Sequence, residues 1–428
     1  MSTQGLGNIG TDNTPAKKSR FMFFSDVYRP DAKVARFLMI IILTGVSFSL
    51  YRGVQDNYLA DLIHITPFER GVVEFFRELP GLILVFILAL MYRLTPGRIF
   101  KIGLALMAAG AVGVLLTTAS SHLMTKLIVV IFMVLLSLGD HITMPVRSTI
   151  ALDLAKREKA GASLGILGSL YQLGHIAGFL VVMGIFYFLS KMGYTRTDIL
   201  GYRIVLGLSV ALVTAAVLVA AALQETAIKT HNQRFYFARK FFKFYMIEVF
   251  QGARRQVFST FAPYVLILHY RADPALMSLL YAICSIFGFV CGHLMGRLID
   301  RLGYKVVMVG NALVLILICF FYGYAHRVFP MKIAFIVICC NFVLDSVISM
   351  ASMATNVYAQ RISSSQEELT ATLSTGMSVN HAISIFIALV GGWIWAVTGI
   401  EVLFAISAFL GLLQAIYSAT VKKSEELS

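Results

Sequence analysis

Runs of mostly apolar residues recur along the whole chain, separated by short polar segments. A helix needs about 20 such residues to cross the hydrocarbon core of a bilayer. Twelve runs meet that length, at approximately 34–60, 67–92, 98–118, 123–151, 160–190, 201–223, 243–268, 274–296, 304–325, 331–359, 370–396 and 400–420. The pattern predicts an all-α polytopic membrane protein with twelve transmembrane helices. The polar positions inside the runs matter as much as the runs. The segment MIEVFQGARRQVFSTFAP, Met246 to Pro263, sets Glu248, Arg254 and Arg255 within an otherwise apolar span. A bare charge at a helix centre costs roughly 3 kcal/mol on insertion scales, so such residues face a bundle interior or water.

A second segment matches this one. LYRGVQDNYLADL, Leu50 to Leu62, lies on VFQGARRQVFSTF, Val249 to Phe261, without a gap, so that Gly53 falls on Gly252, Tyr51 on Phe250, Gln55 on Arg254, Asp56 on Arg255 and Asn57 on Gln256. ASLGILGSLYQ, Ala162 to Gln172, sets in the same way against ATLSTGMSVNH, Ala371 to His381, where small residues permit close helix approach. The chain therefore divides into two pseudo-symmetric six-helix bundles, 34–224 and 243–421, with tails at 1–33 and 422–428. The basic stretch ETAIKTHNQRFYFARKFFK, Glu225 to Lys243, provides the linker, 225–242, and its aromatic and basic mixture suits the anionic inner leaflet. Polar groups meeting between repeated halves are how many secondary transporters place a substrate near the bilayer midplane.

Composition removes the soluble alternatives. Of 428 residues 58% are hydrophobic and 14% charged, with a mean hydropathy of +0.80, far from a soluble domain. The formal net charge of +14 needs no nucleic acid, because the positive-inside rule puts Lys and Arg in cytoplasmic loops. With the amino terminus inside, internal loops hold Arg93, Arg98 and Lys101, then Lys156, Arg157 and Lys159, then the linker, then Arg297, Arg301 and Lys305. External loops are poorer, although Lys191, Arg196 and Arg203 cluster in one. Both termini are therefore expected on the cytoplasmic side. Met1 to Arg20 reads as a tail without a cleavable signal, and Phe21 to Tyr28 as tail or as a segment on the inner membrane surface. The five cysteines lie in apolar stretches of the second half, with no disulfide framework, metal spacing or cofactor motif.

Between the eighth and ninth runs stands GRLIDRLGYK, Gly296 to Lys305. It is similar to the loop signature of the major facilitator superfamily, a Gly, three residues, Asp, a basic residue, one residue and Gly. Asp300 and Arg301 would then latch one conformation at the cytoplasmic surface, while Gly296 and Gly303 allow close packing and a tight turn. Together with twelve spans around a basic linker, the resemblance covers essentially the whole chain. It implies alternating access by two rocking bundles, a single working chain among membrane lipids, and, for the bacterial-type branch with no defined substrate, the inner membrane. The first-half loop, Tyr92 to Gly103, lacks the Asp, and the fifth run, Gly161 to Gly178, lacks the Gly-Pro pair of many drug antiporters.

Candidate site residues follow from the buried charges. Arg254 and Arg255 stand near mid-bilayer and, being adjacent, point about 100° apart; one binds substrate and the other pairs structurally, or both belong to a salt bridge between bundles. Gln251 and Glu248 extend that group. In the first run Arg52 and Asp56 pair at i,i+4. Alternatively Asp56 neutralises an arginine of the seventh run and couples to protons; Tyr51 and Asn57 offer hydrogen bonds. In the second run Glu74, Arg77 and Glu78 neutralise one another, and Pro80 marks a kink. Asp140 and His141 form a candidate proton relay, with Asp345 as the second-half counterpart of Asp140. Arg147 suits an inner gate or a lipid headgroup, and His175 and His381 read as lone packing histidines.

These residues point to a proton-coupled secondary transporter of a small, organic anion, since a guanidinium fork matches carboxylate or phosphate. Export of an amphipathic compound or lipid is a second reading, given 32 Phe and 18 Met. A non-transporting sensor or scaffold is a third. Enzyme chemistry is not expected, because adjacent residues such as Asp140 and His141 point apart on a helix.

Overall fold

The computed structural model describes residues 26–28, 31–91, 93–223 and 236–422. Most of both tails and the linker core at 225–235 lie outside the described residues, as does most of Phe21 to Tyr28. Tyr28, at the end of that stretch, is described. It is buried, with its hydroxyl 2.9 Å from that of Ser163.

Twelve helical units follow the twelve apolar runs: α1, Ala32–Leu62; α2, Pro67–Leu82 continued by Leu84–Leu90; α3, Pro96–Leu116; α4, Leu123–Leu154; α5, Ala160–Lys191; α6, Ile199–Ala221; α7, Phe242–Leu268; α8, Pro274–Leu302; α9, Tyr304–Val328; α10, Met331–Ile362; α11, Gln366–Thr398; and α12, Ile400–Ala419. Among the described residues ten are long and apolar enough to cross a membrane. Of the other two, α2 falls short because its regular helix breaks after 16 residues, and α7 because Glu248, Gln251, Arg254, Arg255 and Gln256 interrupt its apolar run. Their starts are local and chemical. Thr66 accepts from the Glu69 amide while Glu69 reaches back to the Thr66 amide, a capping box followed by Pro67; Thr95 and Asp273 cap α3 and α8, each before a proline. The kink expected at Pro80 is a break, since regular helix stops at Leu82 and resumes at Leu84.

The packing repeats with a step of six helices. α1 lies on α5 and α6 as α7 lies on α11 and α12; α3 lies on α4 and α6 as α9 lies on α10 and α12; α2 meets α4 as α8 meets α10. Between the halves, α2 packs on α11 and α5 on α8, again a matched pair. The α2–α11 seam is tight: a Cβ added at Gly71 would stand 2.3 Å from the Ala388 carbonyl oxygen and 3.2 Å from Gly392. Large apolar side chains such as Leu90, Leu116 and Phe188 remain exposed on the perimeter, where lipid would cover them.

Candidate functional site

Between the halves lies a cavity of about 1130 Å³, walled mainly by α1, α5, α7, α8, α10 and α11. It extends toward the face that carries the start of α1 and the basic loops. There Gly165, Gly168 and Gly292 line it, and a Cβ at any of them would meet nothing within 4 Å. The expectation that the α5 glycines serve close packing therefore holds only deeper in, where Gly174 and Gly178 abut α1. At the opposite end polar bonds close the halves together. Asn57 Nδ2 donates to the Ala272 carbonyl at 2.9 Å, Ser278 Oγ to the Gly53 carbonyl at 3.1 Å, and Tyr281 Oη to Asp56 at 2.9 Å.

In the cavity wall, Arg254 Nη1 meets Asp345 at 2.8 Å, joining α7 to α10. Arg255, a 100° step further round α7, is exposed in the cavity. No hydrogen bond or ion pair reaches it among the described residues. Gln251 Nε2 donates to Thr355 at 2.7 Å, and Asn380 Nδ2 donates to the Glu248 carboxylate at 3.2 Å. Arg147, on α4, stacks its guanidinium 4.0 Å above the Tyr171 ring. His175 packs against Phe48, Tyr171 and Phe179, as an aromatic would.

Below the cavity runs a buried chain of charge. Asp56 pairs with Arg70 at 3.1 Å and with Arg52 at 3.7 Å; Arg70 pairs with Glu74 at 2.8 Å; Arg77 donates to Glu74 through Nε at 2.9 Å and Nη2 at 2.6 Å, and also to Glu78. Arg70 has no exposed surface. Gln256 of α7 donates to Glu74 at 3.3 Å, so the second half holds this chain too. Breaking one partner of such a pair leaves an uncompensated buried charge, at a cost of about 3–5 kcal/mol.

Several expectations change. Asp56 does not neutralise an arginine of α7: Arg70, one turn into α2, lies closer and takes its carboxylate, and Asp56 stays out of the cavity. Tyr51 and Asn57 are also buried outside it, Asn57 being turned to Asp61 and Ala272. Asp140 does not line the cavity either. Arg52, Gln251, Arg254, Arg255, Glu248 and Asp345 do. Gly296 faces open space rather than a packed neighbour, while Gly303 turns the chain at φ 81°, a conformation that favours glycine. Asp300 and Arg301 are exposed, and no bond or ion pair reaches Asp300 among the described residues. His381 is not a lone packing residue: it lines the cavity and stands 3.4 Å from Glu78. Arg70 was missed, although Arg70, Glu74, Arg77 and Glu78 share a helical face by spacing. Asn380 and Gln172 carried no sequence signal beyond the internal repeat.

Two packed halves around a charge-lined cavity closed at one end are the architecture of a solute transporter. The model of the major facilitator superfamily matches residues 37–355 and 244–426, and the chain belongs to that family. It is a transporter, not an enzyme. No match was found among curated proteins. Among solved structures it is similar to a D-xylose-proton symporter, with 15% identity, a TM-score of 0.71 and coverage of 93% of this chain and 100% of that one. It is similar also to the nucleoside transporter NupG, with 13% identity, a TM-score of 0.69 and coverage of 91% and 99%. A third is a bacterial homologue of the iron transporter ferroportin in an inward-facing state, with 14% identity, a TM-score of 0.68 and coverage of 90% and 97%. At such identities these likenesses concern the fold.

Proposed function

We propose that the chain is a proton-coupled symporter of a small organic anion, working by alternating access with its cavity open here to the cytoplasm. The observation that carries the reading is Arg255. Arg52 is offset by Asp56 and Arg254 by Asp345, which leaves Arg255 and Glu248 as the cavity charges without an ion-pair partner among the described residues. Seven residues apart, the two stand on one face of α7 two turns from each other, and both line the cavity. With Glu248 ionised, the site is near neutral. With Glu248 protonated, Arg255 presents an uncompensated guanidinium that a carboxylate or phosphate can meet bidentately. Proton and anion thus favour each other's binding, and linkage makes the effect reciprocal. The apolar wall of Phe258, Phe289 and Met350 accommodates the organic body of the substrate, and the same wall supports export of an amphipathic compound as the second reading.

The sign follows directly. Lower pH fills Glu248, so anion affinity rises as pH falls. The Glu248→Gln variant, fixed in the protonated-like form, binds anion with little dependence on pH. Arg255→Ala loses binding at every pH. A ligand screen by thermal shift, repeated as a pH series and followed by flux into proteoliposomes, checks this. An anion affinity whose pH dependence is the same in Glu248→Gln as in the parent protein removes Glu248 from the coupling, and anion transport unchanged in Arg255→Ala removes the anion site.

A further inference from the structure

The end of α2, the middle of α4 and the middle of α11 bring Glu78, His141 and His381 together, with one ligand atom of each within 4.8 Å of the others. We infer that these three side chains form a binding site for a divalent late transition metal such as Zn²⁺ or Co²⁺, bridging the two halves of the transporter at the edge of the cavity.

The orientation of each donor supports the assignment. His141 Nδ1 lies 2.8 Å from the Ser137 carbonyl oxygen. A carbonyl only accepts, so the proton sits on Nδ1 and the lone pair is left on Nε2, the arrangement that holds a ligating histidine in a fixed tautomer. Ser137 Oγ donates in turn to the Arg77 carbonyl at 2.6 Å, which fixes that turn of α4 against α2. The Glu78 carboxylate is divided: Oε1 faces Arg77, and Oε2 stands 3.4 Å from His381 Nδ1. Arg77 is also held twice by Glu74, so Glu78 Oε2 is left to the histidines. Gly81 keeps the space between the nitrogens open. A Cβ there would lie 2.7 Å from His141 Nε2 and 3.3 Å from His381 Nδ1.

Two imidazole nitrogens and one carboxylate oxygen are a donor set for Zn²⁺ and its neighbours rather than for Mg²⁺ or Ca²⁺, which prefer all-oxygen shells. Access exists, because His381 is 29% exposed and lines the cavity, and that side leaves a fourth position for water. Glu78 and His141 belong to the first half and His381 to the second. An ion held by all three therefore ties α11 to α2 and α4, whichever solute the cavity carries, and does not depend on the anion reading.

The test uses the full-length protein in detergent with its purification tag removed. Titration with Co²⁺ alone should give saturable visible d–d absorption at one equivalent per chain, discharged by Zn²⁺. His141→Gln and His381→Gln should each weaken binding by about tenfold or more, while His175→Gln, another cavity histidine, should leave it unchanged. Zinc-edge X-ray absorption on the unaltered protein needs no variant and should show imidazole nitrogens at about 2.0–2.1 Å. Absence of saturable binding, binding indifferent to both substitutions, or a first shell without imidazole overturns the proposal.

Discussion

At the scale of single residues, the charges in this protein sort by whether a partner lies within reach. Arg254 and Asp345 are 4% and 18% exposed and share one close contact. Removing either leaves the other buried without its counter-charge, so Arg254→Ala and Asp345→Ala should each lower stability by about 3–5 kcal/mol. The double variant should cost less than their sum, because it leaves no orphaned charge. Melting curves in detergent for the double-mutant cycle read this directly; additive losses would mean that the pair is not energetically coupled. Arg255, with no such partner among the described residues, should show the opposite pattern under substitution, an unchanged melting temperature and altered ligand binding.

At the scale of helices, the apolar runs located all twelve units, most ends falling within a few residues, because the length needed to cross a bilayer leaves little freedom in where a span begins; α8 runs six residues past its apolar run, to Leu302. What the runs did not reveal is which helix faces which. Arg70 was overlooked since its role depends on α1 bringing Asp56 beside it, and His381 read as packing because Glu78 and His141 come from two other helices. Spacing along one helix shows only intrahelical partners such as Arg52 and Asp56. The α2–α11 seam is a property of the same kind. At Gly71 any added carbon meets the backbone carbonyl of Ala388, which cannot move without shifting α11. Gly71→Ala should therefore lower the melting temperature and loosen the closed end of the cavity, increasing labelling of a cysteine introduced at Ser278 by an impermeant maleimide from the face opposite the basic loops. Unchanged labelling and melting would show that the two helices can separate here without consequence.

At the scale of the whole molecule, the matched packing of α2 on α11 and α5 on α8 leaves one end of the cavity bonded and the other open. The bonds at the closed end involve Gly53, Asp56, Asn57, Ala272, Ser278 and Tyr281, and under the alternating access proposed above all must part when the halves rock. Something at the open end must then take their place. Asp300 and Arg301 stand at that end, and Asp300 makes no bond among the described residues in this conformation. A group without a partner in one state and with one in the other biases the equilibrium between them by its differential interaction alone. Asp300→Asn should therefore leave the melting of the substrate-free protein almost unchanged if this conformation predominates at rest, yet shift the population further toward it and slow turnover. Maleimide reactivity of a cysteine at Gly165, in the open mouth, should rise in that variant while solute exchange falls. A variant with ordinary turnover and ordinary Gly165→Cys reactivity would place the latch elsewhere, and would leave the resemblance of this loop to the family signature without a mechanical role.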